Sequence, residues 1–260
     1  MPAEPLESAD RLFDLDGRIA LVTGASSGLG ARFATVLAAS GAEVIAVARR
    51  GDRLEALAAA HDRISPSVCD VGDDDAVRRM LATVEADHGP IDVLVNNAGI
   101  TDGPAEAVGQ DPGQFRSVVD VDLTAPFLLS TLVAPSMIDR GAGSIVNVAS
   151  IYGLVAAAPN NQAAYVAAKS GLVGLTRELA CQWASDGVRV NAIAPGFFAS
   201  ELTEELLSGE SGPRWIRRNT PMRRPGREHE LDGVLLFLAG DASTYVTGQT
   251  IAVDGGWTAR

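Results

Sequence analysis

Apolar residues in this chain fall into short runs, separated by longer stretches in which they recur every three or four positions. The first run, Ile19-Ala-Leu-Val-Thr23, is stopped by Gly24 and reads as a buried strand. Residues 29–40 follow with Phe33, Val36 and Leu37 on one helical face and Gly41 as terminator. The alternation repeats: strand 43–48, helix 52–60, a strand ending near Cys69, helix 73–88 and strand 91–96. Farther on come a long helical region 111–140, strand 144–149, helix 162–185, strand 188–194, helix 228–239 and a last strand 250–253. Apolar strands alternating with amphipathic helices imply an α/β fold, a doubly wound parallel sheet with helices on both faces. Ligands of such a sheet are expected at the carboxyl ends of its strands. No linker interrupts the pattern, so residues 17–260 read as one domain and residues 1–16 as a short surface arm. The pattern fades between residues 197 and 227, a segment that reads as a mobile lid.

The first strand runs into Thr23-Gly-Ala-Ser-Ser-Gly-Leu-Gly30, and a helix starts inside that loop. Gly24 permits the tight turn, Gly28 lets backbone approach a phosphate, and Gly30 lets helix and strand pack closely. Ser26, Ser27 and Leu29 fill the loop between them, and free N–H groups at the helix start face the ligand. A glycine-rich turn alone is weak evidence; between a first strand and a first helix it favours a dinucleotide. The end of the second strand selects which one. A carboxylate there would hold the ribose hydroxyls of NAD(H), and Ala48 supplies none. Arg49 and Arg50 are able to pair with a 2′-phosphate, or to stand as a solvated pair; the missing carboxylate favours NADP(H), with NAD(H) as the alternative.

Composition narrows the partners. With 260 residues, 47% hydrophobic content and a net charge of −12, the chain has material for a large core and repels phosphate backbones and anionic lipid. Neither nucleic acid nor membrane is expected as a partner. No apolar stretch reads as a membrane span of about 20 residues, and the acidic start lacks the pattern of a secretory signal. A cytoplasmic address is the expectation. Cys69 and Cys181 sit in apolar segments and read as buried thiols of a reducing compartment. His61, His88 and His229 show no ligand spacing, so no metal site is expected.

Later motifs complete a family pattern. Asp70-Val71, Asn96-Asn-Ala-Gly99, Ser150, Tyr165-Val-Ala-Ala-Lys169, Pro195-Gly196, Val246-Thr-Gly-Gln249 and Asp254-Gly-Gly256 follow the glycine loop in order. Over nearly its whole length the chain resembles the short-chain dehydrogenase/reductase family with its Rossmann-type fold, in the branch of 3-oxoacyl reductases and gluconate 5-dehydrogenases. The resemblance implies Ser150, Tyr165 and Lys169 as catalytic residues. Tyr165 and Lys169, at i and i+4, leave one helix face. Ser150 would hydrogen-bond a substrate carbonyl, and Tyr165 would protonate it as hydride arrives at carbon. An adjacent ammonium lowers a tyrosine pKa by favouring phenolate. The family further assigns Lys169 to the nicotinamide ribose, Asp70 and Val71 to adenine, and Asn97, Ala98 and Gly99 to adenosine. Pro195, Gly196, Phe198 and Ser200 would border the carboxamide. A homotetramer (or homodimer) built through helices 111–140 and 162–185 and the last strand is also implied.

Two departures stand out. Where the family commonly has an asparagine, Val119-Asp-Val-Asp-Leu-Thr124 carries Asp122. A carboxylate beside Lys169 would raise the lysine pKa and partly cancel its effect on Tyr165; Asp122 is therefore a candidate member of the proton relay, or a carboxylate holding backbone. The interval from Ser150 to Tyr165 is slightly longer than usual for the family. Its extra length makes Tyr152 and Asn160, with Asn161 and Gln162, candidate substrate contacts or turn formers. In the lid, Phe197 and Trp215 read as apolar pocket walls, and Arg214, Arg217, Arg218, Arg223, Arg224 and Arg227 as a basic cluster, either attracting an anionic substrate or merely solvated. The expected partner is a small carbonyl or alcohol. A 3-oxoacyl or related ketone is favoured; the alternatives are a sugar or polyol handled with NAD(H), and a non-catalytic dinucleotide-binding redox sensor.

Overall fold

The computed structural model describes residues 9–259. After a helical turn α1 (Ala9–Leu12) come β1 (Ile19–Thr23), α2 (Gly28–Ala39), β2 (Glu43–Ala48), α3 (Gly51–Ala59), β3 (Ile64–Val68), α4 (Asp74–His88) and β4 (Val93–Asn96). The second half contains α5 (Pro112–Val119), α6 (Ala125–Arg140), β5 (Gly143–Val148), α7 (Ala163–Trp183), β6 (Val188–Pro195), α8 (Glu204–Leu207), α9 (Ser211–Asn219), α10 (Asp232–Ala239) and β7 (Thr250–Val253). The strands form one seven-stranded parallel sheet in the order β3-β2-β1-β4-β5-β6-β7. The chain winds outward from β1 to β3, then returns to the other side of β1 with β4. That reversal opens a crevice at the carboxyl ends of β1 and β4.

Period-two alternation gives the sheet two cores. Ala20 and Val22 of β1, with Val44 and Ala46 of β2, meet Phe33 and Leu37 of α2 and Leu235 and Leu238 of α10. Their neighbours Leu21, Ile45, Val47 and Leu94 face Met80 and Leu81 of α4, Leu129 and Val133 of α6, and Leu179 of α7. Strands buried on both faces must be apolar throughout, which is why they read as unbroken runs.

Several expectations change in detail. The helical region 111–140 is one stretch of helix, but a π-helical turn, Asp120–Thr124, divides α5 from α6. By length and composition that stretch is also able to cross a membrane, contrary to the expectation that no such segment exists; half of its most apolar window is buried within the protein, as in a core helix. Cys69 is buried, whereas Cys181 is exposed, because it lies on the outward side of α7. Residues 1–8 of the expected surface arm lie outside the described residues, and its described end is anchored: Leu15 is buried and its N–H donates to Ser40 O at 2.8 Å.

Candidate active site

Thr23 closes β1 with its hydroxyl turned toward β4, where it accepts the N–H groups of Asn97 and Ala98, both at 3.0 Å. The Asn97 amide returns a bond to Thr23 O at 2.9 Å. This pairing ties the glycine loop to the end of β4, and glycine is what permits the approach. A Cβ on Gly30 would stand 2.2 Å from Gly24 O, and one on Gly24, at φ +69°, would stand 2.8 Å from Ala98 Cα. Asn96 instead spends its amide on Asn147 and Ser130 inside the sheet, so its role is structural.

A cavity of about 730 Å³ runs along the carboxyl ends of the strands. Every residue expected to touch a cofactor lines it: Gly24, Ser26, Ser27, Gly28, Leu29 and Gly30 from the loop; Arg49, Arg50, Asp70 and Val71 past β2 and β3; Asn97, Ala98 and Gly99 past β4; and Pro195, Gly196, Phe198 and Ser200 past β6. Ser150, Tyr165, Lys169 and Asp122 line its other end.

Tyr165 and Lys169 project from one face of α7, with Lys169 Nζ 5.6 Å from the Tyr165 ring centre. Lys169 Nζ donates to Val148 O at 3.0 Å and lies 3.1 Å from Asp122 Oδ2. Asp122 is wholly buried, and its Oδ1 accepts the N–H of Ile100 at 2.8 Å. It reaches this position from the π-helical turn, whose added residue per turn re-aims side chains in a helix otherwise facing the core. Gly99 leaves room for the pair, since a Cβ there would lie 2.8 Å from Asp122 Oδ2.

Burial is the largest influence on all three titrating groups. It raises the Asp122 pKa from its ordinary value, with Lys169 opposing. It opposes charge on Lys169 too, yet Asp122 and Tyr165 outweigh it and the lysine pKa rises. It raises the Tyr165 pKa; Lys169 and the bonded Ser150 hydroxyl pull the other way, and Asp122 adds to the rise.

Sequence reasoning missed Asp102. This buried carboxylate on the loop after β4 accepts the N–H groups of Ala164 and Tyr165, at 3.1 and 3.3 Å, and so caps α7 from a distance. No local capping pattern announces it, because 62 residues separate it from Ala164.

The expected substrate residues divide. Ser150 and Tyr165 line the cavity, whereas Tyr152, Asn160, Phe197 and Trp215 do not. Asn160 donates to the Tyr152 hydroxyl at 3.1 Å. Phe197 lies edge-on to Tyr152, Trp215 and Trp257, at 6.3, 5.6 and 5.0 Å between ring centres, in an aromatic cluster that includes two residues of the lid segment itself. The segment 197–227 is more ordered than its sequence suggested: α8 and α9 lie within it, and Gly226 N–H donates to Phe197 O at 2.8 Å to close its base. None of its six arginines lines the cavity. Arg214 pairs with Glu210 and Arg224 with Glu230, while Arg217, Arg218, Arg223 and Arg227 face solvent. Among the described residues no group of three or more His, Cys, Asp or Glu is arranged to hold a metal ion.

Residues 24–258 match the family model described as enoyl-(acyl carrier protein) reductase. Gluconate 5-dehydrogenase of Gluconobacter oxydans (strain 621H) is 39% identical over 252 residues, which are 95% of this chain and 97% of that protein. The 3-oxoacyl-[acyl-carrier-protein] reductase of Thermotoga maritima is 38% identical over 246 residues, 93% of this chain and 98% of that protein. A gluconate 5-dehydrogenase from Burkholderia cenocepacia J2315, crystallised with NADP and tartrate, superimposes with a TM-score of 0.91 at 36% identity, covering 97% of this chain and all of the other. The chain thus belongs to the short-chain dehydrogenase/reductase family, oxidoreductases that act on CH–OH groups with a nicotinamide dinucleotide.

Proposed function

We propose that this protein moves hydride reversibly between NADP(H) and a ketone/secondary-alcohol pair, with Tyr165 as general acid and base. The observation that carries the reading is one cavity with a glycine-cradled, serine- and arginine-lined end and an opposite end where Ser150, Tyr165, Lys169 and Asp122 converge. The donor set suits a dinucleotide. Backbone N–H groups at the start of α2 suit a pyrophosphate, Lys169 the nicotinamide ribose, and Arg49 and Arg50 a 2′-phosphate. When bound, NADP(H) supplies or accepts the hydride.

The chain's own groups handle the oxygen and its proton. The Ser150 hydroxyl holds the substrate oxygen, and the Tyr165 phenol gives a proton to that oxygen in reduction and takes it back in oxidation. Lys169 stabilises the phenolate, and Asp122 fixes Lys169 and weakens that effect, so Tyr165 serves more readily as an acid than as a base at neutral pH. This balance supports ketone reduction, with 3-oxoacyl and related ketones as first candidates. A second reading, a sugar-acid or polyol dehydrogenase working with NAD(H), draws support from the relatives named for gluconate. We read residues 17–260 as one domain with the lid segment over the substrate, in a cytoplasmic homotetramer.

The test follows nicotinamide absorbance with NADPH and NADH against 3-oxoacyl thioesters, keto sugar acids and cyclic ketones. Tyr165→Phe is expected to cut turnover by about 10³-fold while leaving cofactor affinity unchanged. A variant with undiminished turnover would remove Tyr165 from the chemistry. Cofactor binding without turnover on any substrate would point instead to a redox sensor.

A further inference from the structure

The phosphate end of the cavity carries an ionic network built around a carboxylate, Glu201, that the proposed reaction does not use. Glu201, in the helical turn following Ser200, reaches back to the glycine loop. Its two carboxylate oxygens accept from Nη1 and Nη2 of Arg50, each at 2.9 Å, in a two-pronged contact. One of them also accepts the Ser27 hydroxyl at 3.0 Å, and the other accepts from Arg53 of α3. Arg50 completes its fork by donating to Ser26 Oγ from Nε and Nη2, at 3.1 and 2.9 Å, and to Ser27 Oγ at 2.8 Å. Hydrogen bonds from Arg50 and Arg53 hold the Glu201 pKa down to about 2, so the carboxylate is ionised throughout the working pH range. Arg49 stands apart, 3.8 Å from Asp70 with most of its side chain in solvent.

A guanidinium fork matches carboxylate and phosphate equally well, so whichever anion already sits in it competes with the next. Resting on the reading of this cavity as a site for NADP(H), we propose that Glu201 sets cofactor specificity by competing with the ribose 2′-phosphate for Arg50. A 2′-phosphate must displace Glu201 from the fork or accept its repulsion. NAD(H) has no such group and leaves the network intact. Ala48 and the arginines therefore favour NADP(H), and Glu201 tempers that preference. Because Glu201 belongs to the lid segment, its displacement also releases one tie between lid and loop. All three charged side chains are about half exposed, at 41%, 47% and 47%, so the effect is several-fold rather than thousands-fold.

Calorimetric titration of wild type, Glu201→Gln and Glu201→Ala with NADP⁺ and with NAD⁺ tests this without reference to turnover. Both variants are expected to bind NADP⁺ about five- to tenfold more tightly and NAD⁺ within about twofold of wild type. Parallel shifts for the two dinucleotides, or weaker NADP⁺ binding in either variant, would overturn the proposal and leave the cofactor reading standing. Wild type that binds neither dinucleotide would overturn the cofactor reading, and the role of Glu201 with it. Glu201→Gln is nearly isosteric and keeps the test open if the alanine variant folds poorly.

Discussion

The two ends of the cavity each hold a carboxylate against a cation, and the contacts obey different physics. Asp122 and Lys169 meet at 3.1 Å with side chains 0% and 5% exposed. Glu201 meets Arg50 at nearly the same distance, 2.9 Å, with both groups about half in water. In the interior neither charge has solvent to fall back on, so removing one strands the other. At the rim water and salt replace a lost partner almost fully. The buried pair is therefore suited to holding the geometry and proton affinity of Tyr165. The exposed network is suited to exchange, yielding its cation to an incoming anion. Distance alone does not distinguish a fixed ion pair from an exchangeable one; burial does.

Lys169→Met leaves Asp122 buried without its cation, and denaturant unfolding is expected to show a loss of about 3 kcal/mol alongside lost turnover. Unchanged unfolding midpoints would mean that the pair carries no structural weight.

Asp102→Ala removes a buried carboxylate that answers N–H groups rather than a cation, and a loss of about 1–3 kcal/mol is expected. Because Asp102 positions the first turn of α7, kcat should fall more than KM rises; a pure KM effect would dissociate it from Tyr165.

Asp122→Asn keeps an acceptor for the Ile100 N–H and removes a negative charge near Tyr165. That charge disfavours phenolate, so its removal lowers the Tyr165 pKa. The rising limb of the pH profile for alcohol oxidation should then move to lower pH. Superimposable profiles would take Asp122 out of the relay.

The smallest effect belongs to the rim. Arg53→Ala should change stability by less than about 1 kcal/mol, and the difference should vanish in high salt. A larger, salt-independent loss would place this network with the buried pair.

Much of the site was legible because its residues belong to short motifs on regular elements. Tyr165 and Lys169 are one helical turn apart, and the loop glycines answer to a turn and a close approach that their spacing already implies. Asp122 was visible as an unusual residue, but not its route inward, since nothing in Val119-Asp-Val-Asp-Leu-Thr124 signals a π-helical turn. Asp102 and Glu201 gave no signal at all. Asp102 sits in an irregular loop and caps a helix 62 positions away, and Glu201 meets Arg50 across 151.

What the sequence determined by itself is the sheet, the crevice and the dinucleotide loop, because strand and helix periodicity and glycine's backbone freedom act over neighbouring residues. The tertiary structure alone decided that Asp102 caps α7, that Glu201 meets Arg50 and Arg53, and how dry each ion pair is. Ionic contacts depend on distance and dielectric in three dimensions, and neither is written in the order of the residues.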